Sequence, residues 1–242
     1  MRAASIVLFV LATVVSIDAV HAAPPVHARI ADVYRMHCER CHGERGDGDG
    51  PAARALVPRP RDFAEGDFKL RSTASGDVPT DADLERTVRR GVPGTAMPAF
   101  EGRLNDAETR AVIAVLKSFS PRFDVDGPGM PLELPPAPPA DAGTLSRGHA
   151  AYARLACASC HGASGRGDGP VAGELRDAMN LATRPRDLTR RSLYKGGAEP
   201  AEIFRTLTTG MHGTAMTPHG TRTTQRERWD LAYYLASLAR GR

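Results

Sequence analysis

Apolar residues recur with helical spacing at two distant places in the chain. Val112, Val115, Leu116 and Phe119 follow i, i+3, i+4, i+7, and Leu231, Tyr234, Leu235 and Leu238 do the same. Each set predicts an amphipathic helix, and Asn105-x-x-Glu108 and Thr224-x-x-Glu227 stand ahead of them as capping boxes that fix their starts. A shorter helix is predicted around Leu84 and Val88, with a counterpart around Ile203 and Leu207, each ended by a glycine, Gly91 or Gly210. A third pair runs through Ile30 and Val33 and through Tyr152 and Leu155. No long alternating stretch argues for a sheet, so the pattern predicts an all-α protein of two small, loop-rich units.

The two units are copies of one another. Cys38, Cys41 and His42 recur at an offset of 119 as Cys157, Cys160 and His161, and Gly46-x-Gly48-Asp49-Gly50-Pro51 recurs as Gly165-x-Gly167-Asp168-Gly169-Pro170. Gly94-Thr95-Ala96-Met97 returns at the same offset as Gly213-Thr214-Ala215-Met216. Between these blocks, Arg59-Pro60-Arg61-Asp62 matches Arg184-Pro185-Arg186-Asp187 at an offset of 125, so six residues enter and six leave. Such changes are expected in surface loops, with the in-register blocks holding the functional geometry. Residues 120–141 contain seven Pro and two Gly and read as a linker, extended in polyproline II or docked through Leu132 and Leu134. The organisation expected is a leader at 1–22, a first domain at 23–119, the linker at 120–141 and a second domain at 142–242.

Composition adds three constraints. A chain of 242 residues accommodates two domains at roughly 100–150 residues each. Lys plus Arg, 32, against Asp plus Glu, 28, gives a formal charge of only +4, which argues against a nucleic-acid partner. Seven Phe, five Tyr and one Trp are few for two independent cores, so a buried cofactor is expected to supply apolar filling. The start, Met1-Arg2 followed by a mostly apolar run to Val20 and closed by Val20-His21-Ala22-Ala23, has the grammar of a signal peptide cleaved after Ala22 or Ala23. The mature chain is therefore expected in the periplasm, without an integral membrane segment.

Four Cys in an exported chain would ordinarily suggest disulfides. Their spacing points elsewhere: Cys38-Glu39-Arg40-Cys41-His42 and Cys157-Ala158-Ser159-Cys160-His161 are both C-x-x-C-H, the signature of covalent c-type haem attachment. The two thiols of each motif form thioethers to one edge of the haem, and the following imidazole reaches the iron from one face. A redox C-x-x-C lacks its βαβ context and does not account for the adjacent His twice. Zinc would leave both His unexplained, and the Cys pairs lie far apart in sequence.

With these motifs the chain resembles the class I c-type cytochromes, specifically the tandem dihaem members, in two copies covering essentially the whole mature chain. The resemblance implies two tandem cytochrome c-like domains, each a small helical bundle around one haem c held by Cys38 and Cys41 or by Cys157 and Cys160. His42 and His161 would be proximal ligands, with Met97 and Met216, each 59 residues beyond the first Cys of its motif, as sixth ligands. A thioether favours ferrous iron and raises the reduction potential relative to a second imidazole. The alternatives are a Met that merely fills a core gap, or replacement of Met216 by the neighbouring His212 or His219. The resemblance also makes the carbonyls of Pro51 and Pro170 candidates to accept the other ring N–H of the proximal His. Arg59, Arg61, Arg184 and Arg186 either pair with haem propionates or form a solvated basic loop. The implied activity is single-electron transfer between a donor and an acceptor redox protein, as a carrier or an oxidoreductase subunit. The competing expectation is a peroxidase-like dihaem enzyme with one open iron. Pro98 following one Met and Thr217 the other predicts haems of different potential.

Overall fold

The computed structural model describes residues 26–127 and 129–239; the leader read from the sequence lies outside them. The first half contains α1 (Val26–His37), α2 (Glu39–His42), α3 (Asp81–Arg90), α4 (Asp106–Ser118) and a single turn, α5 (Arg122–Val125). The second contains α6 (Thr144–Arg154), α7 (Cys157–His161), α8 (Pro200–Thr209) and α9 (Gln225–Leu238). Among the described residues, β structure is limited to the isolated bridges Glu101–Leu104 and Arg176–Ala182.

Helix starts follow the capping chemistry. Asn105 accepts from the Glu108 N–H at 3.0 Å while Glu108 accepts from the Asn105 N–H at 2.9 Å, a reciprocal box. Thr224 caps α9 by accepting from the Glu227 N–H at 3.2 Å, but the Glu227 carboxylate accepts from Arg154 on α6, exchanging half of the box for an interhelix ion pair. At α3, the buried Asp83 accepts from the Ser72 N–H and hydroxyl, the Thr80 N–H and Arg86. Burial pushes its carboxyl up, but these donors outweigh burial and hold it below the ordinary carboxylate range.

The periodic faces pack as their spacing predicts. α4 lies on α1 and α3, and α9 lies on α6 and α8. Tyr34, Leu84, Val88, Val112 and Leu116 are buried in the first core; Tyr152, Phe204, Leu207, Leu231 and Leu235 are buried in the second. Each such side chain contributes roughly 1.5–3 kcal/mol by leaving water.

The Pro-rich segment is docked rather than free. Phe123 in α5 is buried against Phe68 with ring centroids 5.6 Å apart, and Arg122 donates to the Gly76 carbonyl at 2.6 Å. Further on, the Leu132 N–H donates to the Ser72 carbonyl, Leu134 packs on the second core, and the Tyr233 hydroxyl donates to the Pro138 carbonyl. The halves also touch directly. Buried Arg71 donates to the Phe68 and Ala74 carbonyls of its own half and to the Thr209 carbonyl of the other, while Arg90 pairs with Glu202 at 2.7 Å and His212 with Asp67 at 2.8 Å.

Candidate functional site

Cys38, Cys41 and His42 sit where α1 breaks into α2, and Tyr34 secures the break by donating to the Gly43 carbonyl at 2.8 Å. In the second half Tyr152 donates to the Gly162 carbonyl at 2.7 Å. Cys38 follows Tyr34 by four positions but Cys157 follows Tyr152 by five, and Ala156 absorbs the extra residue with a left-handed φ of 56°. Burial pushes the Cys38 and Cys157 thiols up to about 11, opposite to the depressed values of reactive redox cysteines.

The proximal histidines are held alike. His42 Nδ1 lies 3.2 Å from the Arg61 carbonyl and His161 Nδ1 lies 3.1 Å from the Arg186 carbonyl. A carbonyl can only accept, so Nδ1 carries the proton and Nε2 keeps its lone pair for a metal. Burial lowers both imidazole pKa values, which keeps the rings neutral; the carbonyl contacts oppose this more weakly.

The Pro51 and Pro170 carbonyls therefore do not hold these rings. The Gly-Pro turn lies instead on the backbone of the Cys motif: a side chain at Gly50 would begin 2.5 Å from the Glu39 carbonyl and 2.6 Å from the Arg40 carbonyl. A side chain at Gly48 would begin 2.9 Å from the Pro60 carbonyl, so the Gly-rich turn presses the Arg-Pro-Arg-Asp loop over the ring. The block that slipped to an offset of 125 is thus the one that orients the histidine, and the expectation that only in-register blocks hold functional geometry fails here. The inserted residues fall in the excursion around the Arg176–Ala182 bridge, which leaves the loop free to keep its place.

The methionine loops are built from their own repeated motif. Thr95 Oγ1 donates to the Val92 carbonyl at 2.7 Å and accepts from the Met97 N–H at 3.2 Å, while the Val92 N–H donates to the Met97 carbonyl at 3.1 Å. Thr214, Met211 and Met216 repeat these bonds at 2.7, 3.1 and 2.8 Å. Gly91, at φ +65°, ends α3 where a side chain would begin 2.5 Å from the Pro98 carbonyl carbon, so the loop closes directly on the helix end. Gly91→Ala is expected to displace Met97 and cost roughly 1–3 kcal/mol for the left-handed backbone alone. Thermal denaturation and the sulfur-to-iron charge-transfer band of the ferric protein measure the two effects.

In the first half all four candidate residues, Cys38, Cys41, His42 and Met97, line one largely apolar cleft of about 1190 Å³ including its open mouth. His42 stacks on Phe63 with centroids 4.5 Å apart, whereas the second half has Leu188 at that repeat position. In the second half Cys157 and Met216 pack against the core. His212 is turned to Asp67 across the seam, and His219 is buried with its Nδ1 unpartnered. The four arginines divide: Arg59 pairs with Asp49 at 2.8 Å, Arg184 is exposed, and Arg61 and Arg186 turn to the seam between the halves. Arg59 Nε and Arg186 Nε are buried without hydrogen-bond partners. An apolar slot bounded by two thiols, an imidazole and a thioether, with unsatisfied guanidinium nitrogens, fits a covalently held iron macrocycle bearing carboxylates.

Comparison with known proteins agrees with this chemistry. The cytochrome c family model matches residues 145–239, and the model for cytochrome c oxidase, cbb3-type, subunit III matches residues 25–115. A chain of the Kuenenia stuttgartiensis reducing HAO-like protein complex is 37% identical with a TM-score of 0.84, the match covering 87% of this chain and 96% of that one. Dihydro-heme d1 dehydrogenase of Pseudomonas aeruginosa is 33% identical over 91 residues, which are 37% of this chain and only 15% of that protein's length. The duplicated fold, the paired C-x-x-C-H sites and these similarities make the chain a member of the c-type cytochromes, an all-α electron-transfer protein with tandem cytochrome c domains and two covalently bound haem c groups.

Proposed function

We propose that this cytochrome works in the periplasm as a relay for single electrons between a donor and an acceptor redox protein, most simply as the electron-transfer subunit of an oxidoreductase. In this reading Cys38 and Cys41 would anchor the first haem and Cys157 and Cys160 the second, and His42 with Met97, and His161 with Met216, would be the iron ligands. The observation that carries it is the repetition, in both halves, of a carbonyl-held imidazole and a threonine-braced methionine loop. With two protein ligands the haem iron would have no position for peroxide or O₂, and the chemistry it would supply is outer-sphere electron transfer. Similarity to a chain of a multi-protein HAO-like complex supports the subunit role, and the sequence from Met1 to Ala23 supports export. Among the described residues, no helix is long and apolar enough to cross a membrane.

The chain's own part is to hold each iron in one geometry in both oxidation states. The Arg61 and Arg186 carbonyls orient the imidazoles, and the backbone bonds of the loops Val92–Met97 and Met211–Met216 hold the methionines, so these residues would rearrange little between oxidation states of the group they hold. Pyridine haemochrome analysis is expected to give two haems per chain, and ferric-state spectroscopy two low-spin irons with sulfur ligation. A high-spin ferric iron together with peroxide turnover overturns the relay reading in favour of an enzyme.

A further inference from the structure

Lys195 belongs to the second half of the chain, yet it lines the cleft of the first, beside Lys69. The two lysines are repeat counterparts at an offset of 126, each preceded by an aromatic residue, Phe68 or Tyr194, that is buried in the core of its own half. Tyr194 is fixed further by its hydroxyl, which shares its one proton between the Leu188 and Leu235 carbonyls at 2.8 and 2.9 Å. An anchored aromatic thus delivers each lysine to the seam.

Two arginines meet the lysines there. Arg61 Nη1 lies 3.3 Å from the point where a side chain at Gly213 would begin, and Arg186 Nη1 lies 3.6 Å from the equivalent point at Gly94. Each arginine uses its carbonyl to hold the histidine of its own half and extends its guanidinium to the methionine loop of the other. Few anions stand nearby: Asp177 offsets Arg61 and both lysines, Asp67, which also acts on Arg61, is engaged by His212, and Asp62 acts on Arg61. Burial and then mutual repulsion push Lys69 to about 8 and Lys195 to about 7. Lysines so placed give up their protons readily, and further anions reaching this partly buried seam hold all four groups charged. Each haem brings two carboxylates.

We propose that Arg61, Lys69, Arg186 and Lys195 form a shared carboxylate-binding site for both haems, in which Lys195, supplied by the second half, holds a carboxylate of the first haem. The inference rests on the haem attachment described above. A cation placed there disfavours the extra positive charge of ferric iron, so the second half raises the reduction potential of the first.

The test is a spectroscopic redox titration of the full dihaem chain carrying Lys195→Gln, with haem content measured first. Repeating the titration in a Met216→His background moves the second wave away and isolates the first. The variant is expected to make reduction of the first haem about tenfold less favourable, about 59 mV for one electron, and Lys195→Arg is expected to restore it. Lys195→Met, which keeps the apolar stem, gives the same reading where the glutamine variant fails to fold. A two-haem Lys195→Gln or Lys195→Met protein whose first midpoint lies within twofold of wild type in equilibrium constant, or whose second wave shifts more than its first, overturns the inference alone. Wild-type protein with fewer than two haems overturns the attachment reading and this inference with it.

Discussion

A chain in which Cys38 and Cys41 are both replaced by alanine is expected to carry one haem instead of two, and its first half is expected to lose cooperative folding while the second keeps its ligand spectrum. The reason is the amount of wall that the cofactor supports. His42, Phe63, Phe68, Leu84, Val88 and Leu116 all line the cleft, and several of these residues also form the first core. Without the haem these apolar walls face water through an open mouth, and each such side chain forfeits part of the roughly 1.5–3 kcal/mol that its burial contributes. A domain's net stability is only about 5–15 kcal/mol, so collapse of the walls wins over an empty slot. Haemochrome analysis gives the stoichiometry, and far-ultraviolet circular dichroism during heating gives the loss of the first half. Two haems retained in the double variant would mean that these thiols are not the attachment points.

Local features of the fold were legible in the sequence, and those made by distant contacts were not. The faces of α4 and α9 obey a 3.6-residue period, and their caps use neighbouring residues, so Val112, Leu116, Leu231 and Leu235 could be placed in the core by spacing alone. The Cys motifs and the Gly-Thr-Ala-Met loops were visible because repetition marks what tolerates no drift. The histidine's carbonyl partner was missed because Arg61 and Arg186 lie 19 and 25 residues from their imidazoles, and a loop that slides in register can still return to one place in space. The left-handed Ala156 escaped for a smaller reason: counting from Tyr34 and Tyr152 rather than from the cysteines exposes the extra residue. The lysine pair could have been found by letting the offset run to 126, where Phe68-Lys69 meets Tyr194-Lys195. Docking of the Pro-rich segment depends on Phe123 finding Phe68 and Tyr233 finding Pro138, contacts that composition does not encode.

Met97→His is expected to lower the first haem's midpoint by roughly 0.1–0.3 V, a substantial part of the about 0.8 V that axial-ligand choice spans, and to remove the first haem's share of the sulfur-to-iron charge-transfer band. The loop should survive the change because its form is set by the backbone and by Thr95: the Val92 N–H still reaches the carbonyl of residue 97, and Thr95 Oγ1 still accepts from that residue's N–H. What changes is the donor. An imidazole nitrogen stabilises ferric iron more than a thioether does, so the oxidised state gains and the potential falls. Met216→His is expected to do the same to the second wave, and comparison of the two wild-type midpoints then reads the environments left in place. Phe63 stacks on His42 in one half, while Leu188 replaces it and Thr217 follows the methionine in the other. A Met97→His protein with an unchanged midpoint and an undiminished sulfur band would place the first iron's sixth ligand elsewhere, and with it the assignment of the loop whose backbone bonds both halves repeat.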